Sequence, residues 1–204
     1  MVKKRMTGFA IAILLVLSAG IVTAGGQSEA PEDATKTLRV AVPTFPNSLD
    51  ASIASERTAQ NVAWQMFDSL VWANDDTVIE PALAQEWEIS EDGTEYTFYL
   101  REDVAFHNGE PFNAEAVVYS WERGIQPEIE WSDRWARADS VEAIDEYTVR
   151  ITTEEPDPLL LGVMAQHWNI VPPQYVEEVG NDGFGDAPVG TGPFTLDEFT
   201  QSKK

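Results

Sequence analysis

PALAQEWEISEDGTEYTFYLREDVAFHNGEPFNAEAVVYSW, residues 81–121, is the stretch on which the fold of this chain turns. Trp87 and Ile89 alternate with polar neighbours, and so do Tyr96, Phe98 and Leu100. A period of two marks strands with one buried face, so Trp87 is expected in the core opposite the Tyr96-Phe98-Leu100 row. Between the runs stands Glu91-Asp92-Gly93-Thr94, and Asp-Gly makes a tight hairpin turn because both residues accept positive φ. A second turn follows at Phe106-His107-Asn108-Gly109. Asn113 then precedes Ala114, Val117, Val118 and Trp121, whose i, i+3, i+4, i+7 spacing predicts a helix with Asn113 as its N-cap.

The flanks read as a mixed α+β chain. Leu38 to Val42 predicts a strand that enters the proline-rich loop Pro43 to Asp50. Ala59, Val62, Ala63, Met66, Phe67 and Leu70 share one face of a helix running from about Ser55 to Leu70. A small hairpin turns at Asn74-Asp75-Asp76, and another joins 141–144 to 147–152 across Asp145-Glu146. Pro158 to Gln166 suits a buried helix, and Ile170-Val171 a short buried strand. Pro173 to Gly180 reads as a short helix with proline at its first position and glycine closing it. The glycine-rich loop GFGDAPVGTGP, residues 183–193, leads into a strand at Phe194 to Phe199.

The order P-x-L-A-x-x-W, D-G-x-x-Y-x-F-x-L-R, V-x-F-H-x-G-x-P-F-x-A-x-x-V resembles the signature of the oligopeptide/dipeptide class of solute-binding proteins, the extracytoplasmic receptors of ATP-driven (ABC) importers. Pro81, Leu83, Ala84, Trp87, Asp92, Gly93, Tyr96, Phe98, Leu100, Arg101, Val104, Phe106, His107, Gly109, Pro111, Phe112, Ala114 and Val117 carry the resemblance. It implies an α/β, periplasmic-binding-protein-like first lobe with an inserted α+β subdomain. Residues 38–52 and 171–204 are then expected to share one mixed sheet of lobe I, and 53–170 to form the inserted subdomain. In this family the V-G-T-G-P-F element, here Val189 to Phe194, lies well before the middle of the chain, so a second lobe is expected to be missing. The resemblance also implies a peptide or related small solute as ligand, an ABC permease as partner, and a monomer without cofactor or metal. Thr44, Phe45, Pro46 and Asn47, at the end of the first strand, become cleft candidates, together with Trp168, Thr191 and Gly192. An oligosaccharide-binding member is the alternative within the family.

Lys3, Lys4 and Arg5, the apolar run Phe9 to Leu17 and the small residues ending at Ala24 form a secretory signal, with cleavage expected after Ala24 and release into the periplasm. The competing reading is an uncleaved anchor over Met6 to Ala24. Residues 25–37 are nearly devoid of apolar side chains and read as a disordered leader. With 35 acidic against 13 basic residues the net charge is −22, which argues against nucleic acid as a partner. No cysteine is present, so disulfides, thiolate metal sites and a lipidated cysteine are excluded.

The glycine-rich loop is followed by Pro193 and an expected strand rather than Lys-Ser/Thr or a helix, so it is not a phosphate cradle. His107, in a turn, reads as structural, bonding backbone near Arg101 or Asp103; His167 lies between apolar runs and suits either core or cleft. Trp64, Trp87 and Trp121 occupy core-like positions, which leaves Trp131, Trp135 and Trp168 for stacking on a ligand. No serine sits in a nucleophile elbow, and nothing singles out one carboxylate pair. A secreted glycoside or peptide hydrolase is therefore only the alternative of another class, and a purely structural envelope protein a third.

Overall fold

The computed structural model describes residues 37–200. The expected signal peptide and all but the last residue of the expected leader lie outside the described residues. Two units are separated, one ending at Val40 and the other spanning Ala41 onward. Among the described residues, every regular element lies in the second.

Helix α1 (Arg57–Ala63) comes first, followed by the short hairpin β1 (Val71–Ala73) and β2 (Ile79–Pro81). Strands β3 (Ala84–Ile89) and β4 (Glu95–Leu100) form the central hairpin, helix α2 (Ala114–Gly124) follows, and the single turn α3 (Ser132–Trp135) leads to the hairpin β5 (Ser140–Asp145) and β6 (Thr148–Thr152). The chain then forms α4 (Leu160–His167) and α5 (Pro173–Asp186). The four longer strands make one antiparallel sheet in the order β3-β4-β6-β5.

Alternation places Tyr96, Phe98 and Leu100 of β4 and Val149 and Ile151 of β6 on one buried face. Against it pack Ala114, Ala116 and Val117 of α2, Leu160 and Met164 of α4, and the indoles of Trp135 and Trp168. Each fully buried large apolar side chain contributes roughly 1.5–3 kcal/mol. Asn113 caps α2 as its spacing predicts, its side-chain oxygen accepting from the Ala116 N–H at 3.1 Å. A second core joins Leu49, Ala51, Ala63, Met66, Phe67, Val171, Val176 and Phe184.

The central turn departs from the expected form. Only Gly93 has positive φ, at 75°; the Asp92 carboxylate instead accepts from the Ser90 and Thr94 hydroxyls and the Thr94 N–H. Trp87 is half-buried rather than internal, tilted against Phe98 at 6.3 Å, because β3 is an edge strand with an irregular register between Ala84 and Glu86. Helix α1 stops at Ala63, short of the expected Leu70. The Gln65 and Met66 carbonyls bond the N–H groups of Phe194 and Gly192 instead of continuing the helix.

Residues 38–42 and 194–199 form no strand. Neither stretch finds a ladder partner among the described residues, Leu38 is 86% exposed, and Phe194 places its N–H on Gln65. Ile170 and Val171 are buried as expected, but their N–H groups go to the Asp68 carbonyl and the Ser120 hydroxyl, not to a sheet. Gly180 does interrupt α5, at φ 70°, yet the helix resumes to Asp186, so the glycine-rich loop begins later than its composition suggests.

Candidate functional site

The proline-rich and glycine-rich loops are fixed around α1. Thr44 donates to or accepts from the Thr58 hydroxyl at 2.9 Å, and Phe45 stacks on Phe199 with ring centroids 5.1 Å apart. Pro46 is buried, whereas Thr44, Phe45 and Asn47 are exposed. Thr191 donates its hydroxyl proton to Asp68 at 2.9 Å. Gly192 is buried, its N–H on the Met66 carbonyl and its own carbonyl 2.8 Å from His107 Nε2. The backbone that this loop approaches is thus that of Gln65 and Met66. His107 is structural, as its turn position suggested, but it holds the 190–192 loop rather than the neighbourhood of Arg101 or Asp103.

Trp168 leaves the set of ligand residues. Its indole is fully buried, stacked 4.8 Å from that of Trp135 at 13°, with its N–H on the Arg134 carbonyl at 3.0 Å. Trp135 is equally buried. Trp64, read as core, lies instead on an open wall. Its indole is only partly covered, and the N–H reaches the Gln166 carbonyl at 3.2 Å.

That wall belongs to a hollow of about 320 Å³ bounded by Ser55, Arg57, Gln60, Trp64, Trp131, Arg134, Gln166 and His167. Its sides are aromatic. Trp131 packs on the His167 imidazole at 5.2 Å and anchors its own N–H on the Ala54 carbonyl; the Arg57 guanidinium stands 5.7 Å over Trp64. Arg134, Gln166 and His167 also line an adjoining hollow of about 340 Å³ whose far side is Leu159, Gly162 and Val163. The two hollows have these three side chains as a common wall. Burial lowers the His167 pKa from 6.5; Arg134 and Arg57 add to the shift and Asp133 opposes it, so the imidazole is neutral at pH 7.

A larger hollow of about 630 Å³ lies between α2, β5 and the start of α5, with Glu110, Glu115, Glu122 and Glu142 in its wall. The Glu110 carboxylate there accepts from the Gln174 and Tyr175 N–H groups. We place the candidate site in the first groove, which combines flat apolar walls with convergent polar groups, the usual make-up of a small-molecule site.

Residues 78–204 match the family described as bacterial extracellular solute-binding proteins, family 5, middle region. The chain belongs to this family. Over 175 residues it is 31% identical to the glutathione-binding protein GsiB of Salmonella typhi, covering 84% of this chain and 34% of that protein. It spans about a third of the length of the curated relatives it matches. Among solved structures, NikA from Brucella suis in complex with Fe(III)-EDTA superposes at a TM-score of 0.67, with 34% identity over 78% of this chain and 33% of NikA. Haemophilus influenzae OppA in complex with the peptide RPPGFSPFR superposes at 0.71, with 25% identity over 76% of this chain and 34% of OppA. The α/β binding-protein fold class expected from the sequence is the one these family 5 structures share.

Sequence reasoning reached Trp131 and His167 in this groove but missed Arg57, Trp64 and Arg134. One signal was available. No lysine stands between Lys36 and Lys203, so the few arginines in that span are the whole supply of fixed positive charge.

Proposed function

We propose that this chain contributes the first lobe of an ABC-importer receptor that captures a small solute outside the cytoplasm and passes it to a membrane permease. The observation that carries the reading is the aromatic groove at Trp64, Trp131 and His167 on a family 5 fold. The relatives compared above are named or solved with glutathione, a peptide and a metal chelate, and a peptide is the first ligand class to test. An export signal at residues 1–24 and an acidic chain without cysteine fit a periplasmic monomer.

Such receptors work by closure. A ligand that touches two walls favours the state in which both contact it, and the binding free energy moves the hinge. Trp64 and Trp131 furnish flat surfaces for one wall. Thr44, Phe45 and Asn47, exposed beyond the Thr58 contact, and the partly exposed Thr191 are proposed as its border. The 53–170 segment is proposed as the inserted subdomain, its sheet core holding that wall rigid.

The test is calorimetric titration of the protein expressed from the complete reading frame, with the 204-residue chain alone as a second sample. The panel is di- to pentapeptides, glutathione and oligosaccharides. Saturable binding without turnover is expected for the first sample, and weaker binding for the second. Hydrolysis of a panel member, or no binding by either sample, overturns the reading.

A further inference from the structure

We propose that the groove selects an anionic solute: Arg57 and Arg134 pair with a carboxylate of the ligand while its apolar body lies across Trp64 and Trp131. The inference rests on the solute-capture reading and names the chemistry that this particular groove accepts.

The argument begins with charge. The chain as a whole is strongly acidic, yet two of its few arginines line one hollow whose described wall contains no carboxylate. Neither arginine is consumed by the fold. Arg57 is exposed, forms no ion pair among the described residues, and has its guanidinium placed above Trp64. Arg134 has one carboxylate nearby, that of Asp133 at 3.5 Å, but the Nε proton of Arg134 makes no hydrogen bond to it although the atom is buried. In contrast, Arg123 and Arg137 each engage a carboxylate directly, through hydrogen bonds that leave them no freedom to meet a ligand.

The surroundings favour a carboxylate over a cation or a neutral sugar. A guanidinium offers a flat fork of N–H donors that matches two carboxylate oxygens, and it keeps this geometry while stacked on an aromatic ring. His167, neutral beside two cations, adds no third positive charge and leaves a ring nitrogen free to hydrogen-bond. The groove itself sets two arginines beside the indoles of Trp64 and Trp131, an arrangement suited to a solute with an acid at one end and a hydrocarbon or aromatic body.

The experiment compares acids with their amides. Protein from the complete reading frame is titrated with aromatic and aliphatic di- and tripeptides and with the same peptides carrying a C-terminal amide. The free acids are expected to bind about tenfold tighter than the amides, in line with one charge-assisted hydrogen-bonded pair. Arg57→Gln and Arg134→Gln should each remove part of this preference, and the double variant should bind acid and amide alike. Both side chains are partly or fully exposed, so circular dichroism and melting temperature should stay unchanged. Equal binding of acid and amide by the unaltered protein, or discrimination that survives the double variant, overturns this inference and leaves solute capture intact. Absence of binding by every member of the peptide and oligosaccharide panel overturns both.

Discussion

A methyl group added at Gly190 would overlap the Met66 carbonyl oxygen, and one at Gly192 would stand 2.7 Å from the Met66 carbonyl carbon. Backbone cannot step aside as a flexible side chain does. Both positions hold the 190–192 loop flush against the end of α1, where His107 closes it from the other side. Gly190→Ala is therefore expected to destabilise the protein by about 1–3 kcal/mol, the usual range for overpacking a filled site. Thermal or urea denaturation reads it, and an unchanged midpoint would show that the loop is not packed as described. Trp64 faces the groove for a local reason: it keeps helical φ and ψ as the C-cap of α1, with its N–H on the Gln60 carbonyl, and so projects about 100° round the helix from the buried Ala59–Ala63 stripe.

Among the elements, the start of α4 is linked to the sheet by Asp157 as well as by apolar packing. The Asp157 carboxylate accepts two hydrogen bonds from the Arg137 guanidinium, at 2.7 and 2.6 Å, and one from the Leu159 N–H at 3.0 Å; its carbonyl accepts from the Tyr96 hydroxyl of β4 at 2.8 Å. Burial works to raise the Asp157 pKa, but Arg137 and the Leu159 and Leu160 N–H groups outweigh it and hold the carboxyl below its ordinary 3.8. A folded pKa below the unfolded one contributes stability above the unfolded value and loses it as the pH falls through the folded value. The contribution is thus whole above about pH 4 and fades in stronger acid. Asp157→Asn is expected to lose about 1.5–3 kcal/mol at pH 7, the range for hydrogen bonds to a charged group, and to match the unaltered protein in strong acid. Stability measured against pH for both proteins checks it, and parallel curves would refute the assignment.

On the scale of the whole molecule, the two cores meet at a buried charge. Asp50, fully buried at the end of the proline-rich loop, is paired with Arg123 in the last turn of α2. Arg123 also donates to Asn181 of α5 at 3.1 and 3.0 Å and lies 5.5 Å above the Phe184 ring. This network joins the loop, α2 and α5, three segments remote in the sequence. Arg123→Met would strand the Asp50 carboxylate in the interior and is expected to cost about 3–5 kcal/mol. Adding Asp50→Asn should restore part of the loss, because the uncompensated charge is removed. Chemical denaturation of the single and double variants checks this; additive losses would show that the two residues do not act as a pair.

The sequence by itself determined the hairpins, the capped helix α2 and the family. Each depends on neighbours within a few residues: alternation across Asp92-Gly93, the Asn113 side chain one turn from Ala116, and the ordered run of matches from Pro81 to Val117. Tertiary structure alone decided which aromatics are buried and which face solvent. Trp168 disappears under Trp135, and the indole of Trp64 stays only partly covered, with its N–H on the Gln166 carbonyl of a segment about a hundred residues further along. It likewise decided the fate of residues 38–42 and 194–199, whose apolar pattern suits a strand but finds no ladder partner among the described residues. The convergence of Arg57 and Arg134 was illegible for the same reason. Local spacing registers faces of one element, whereas a groove is assembled from side chains that only folding brings together.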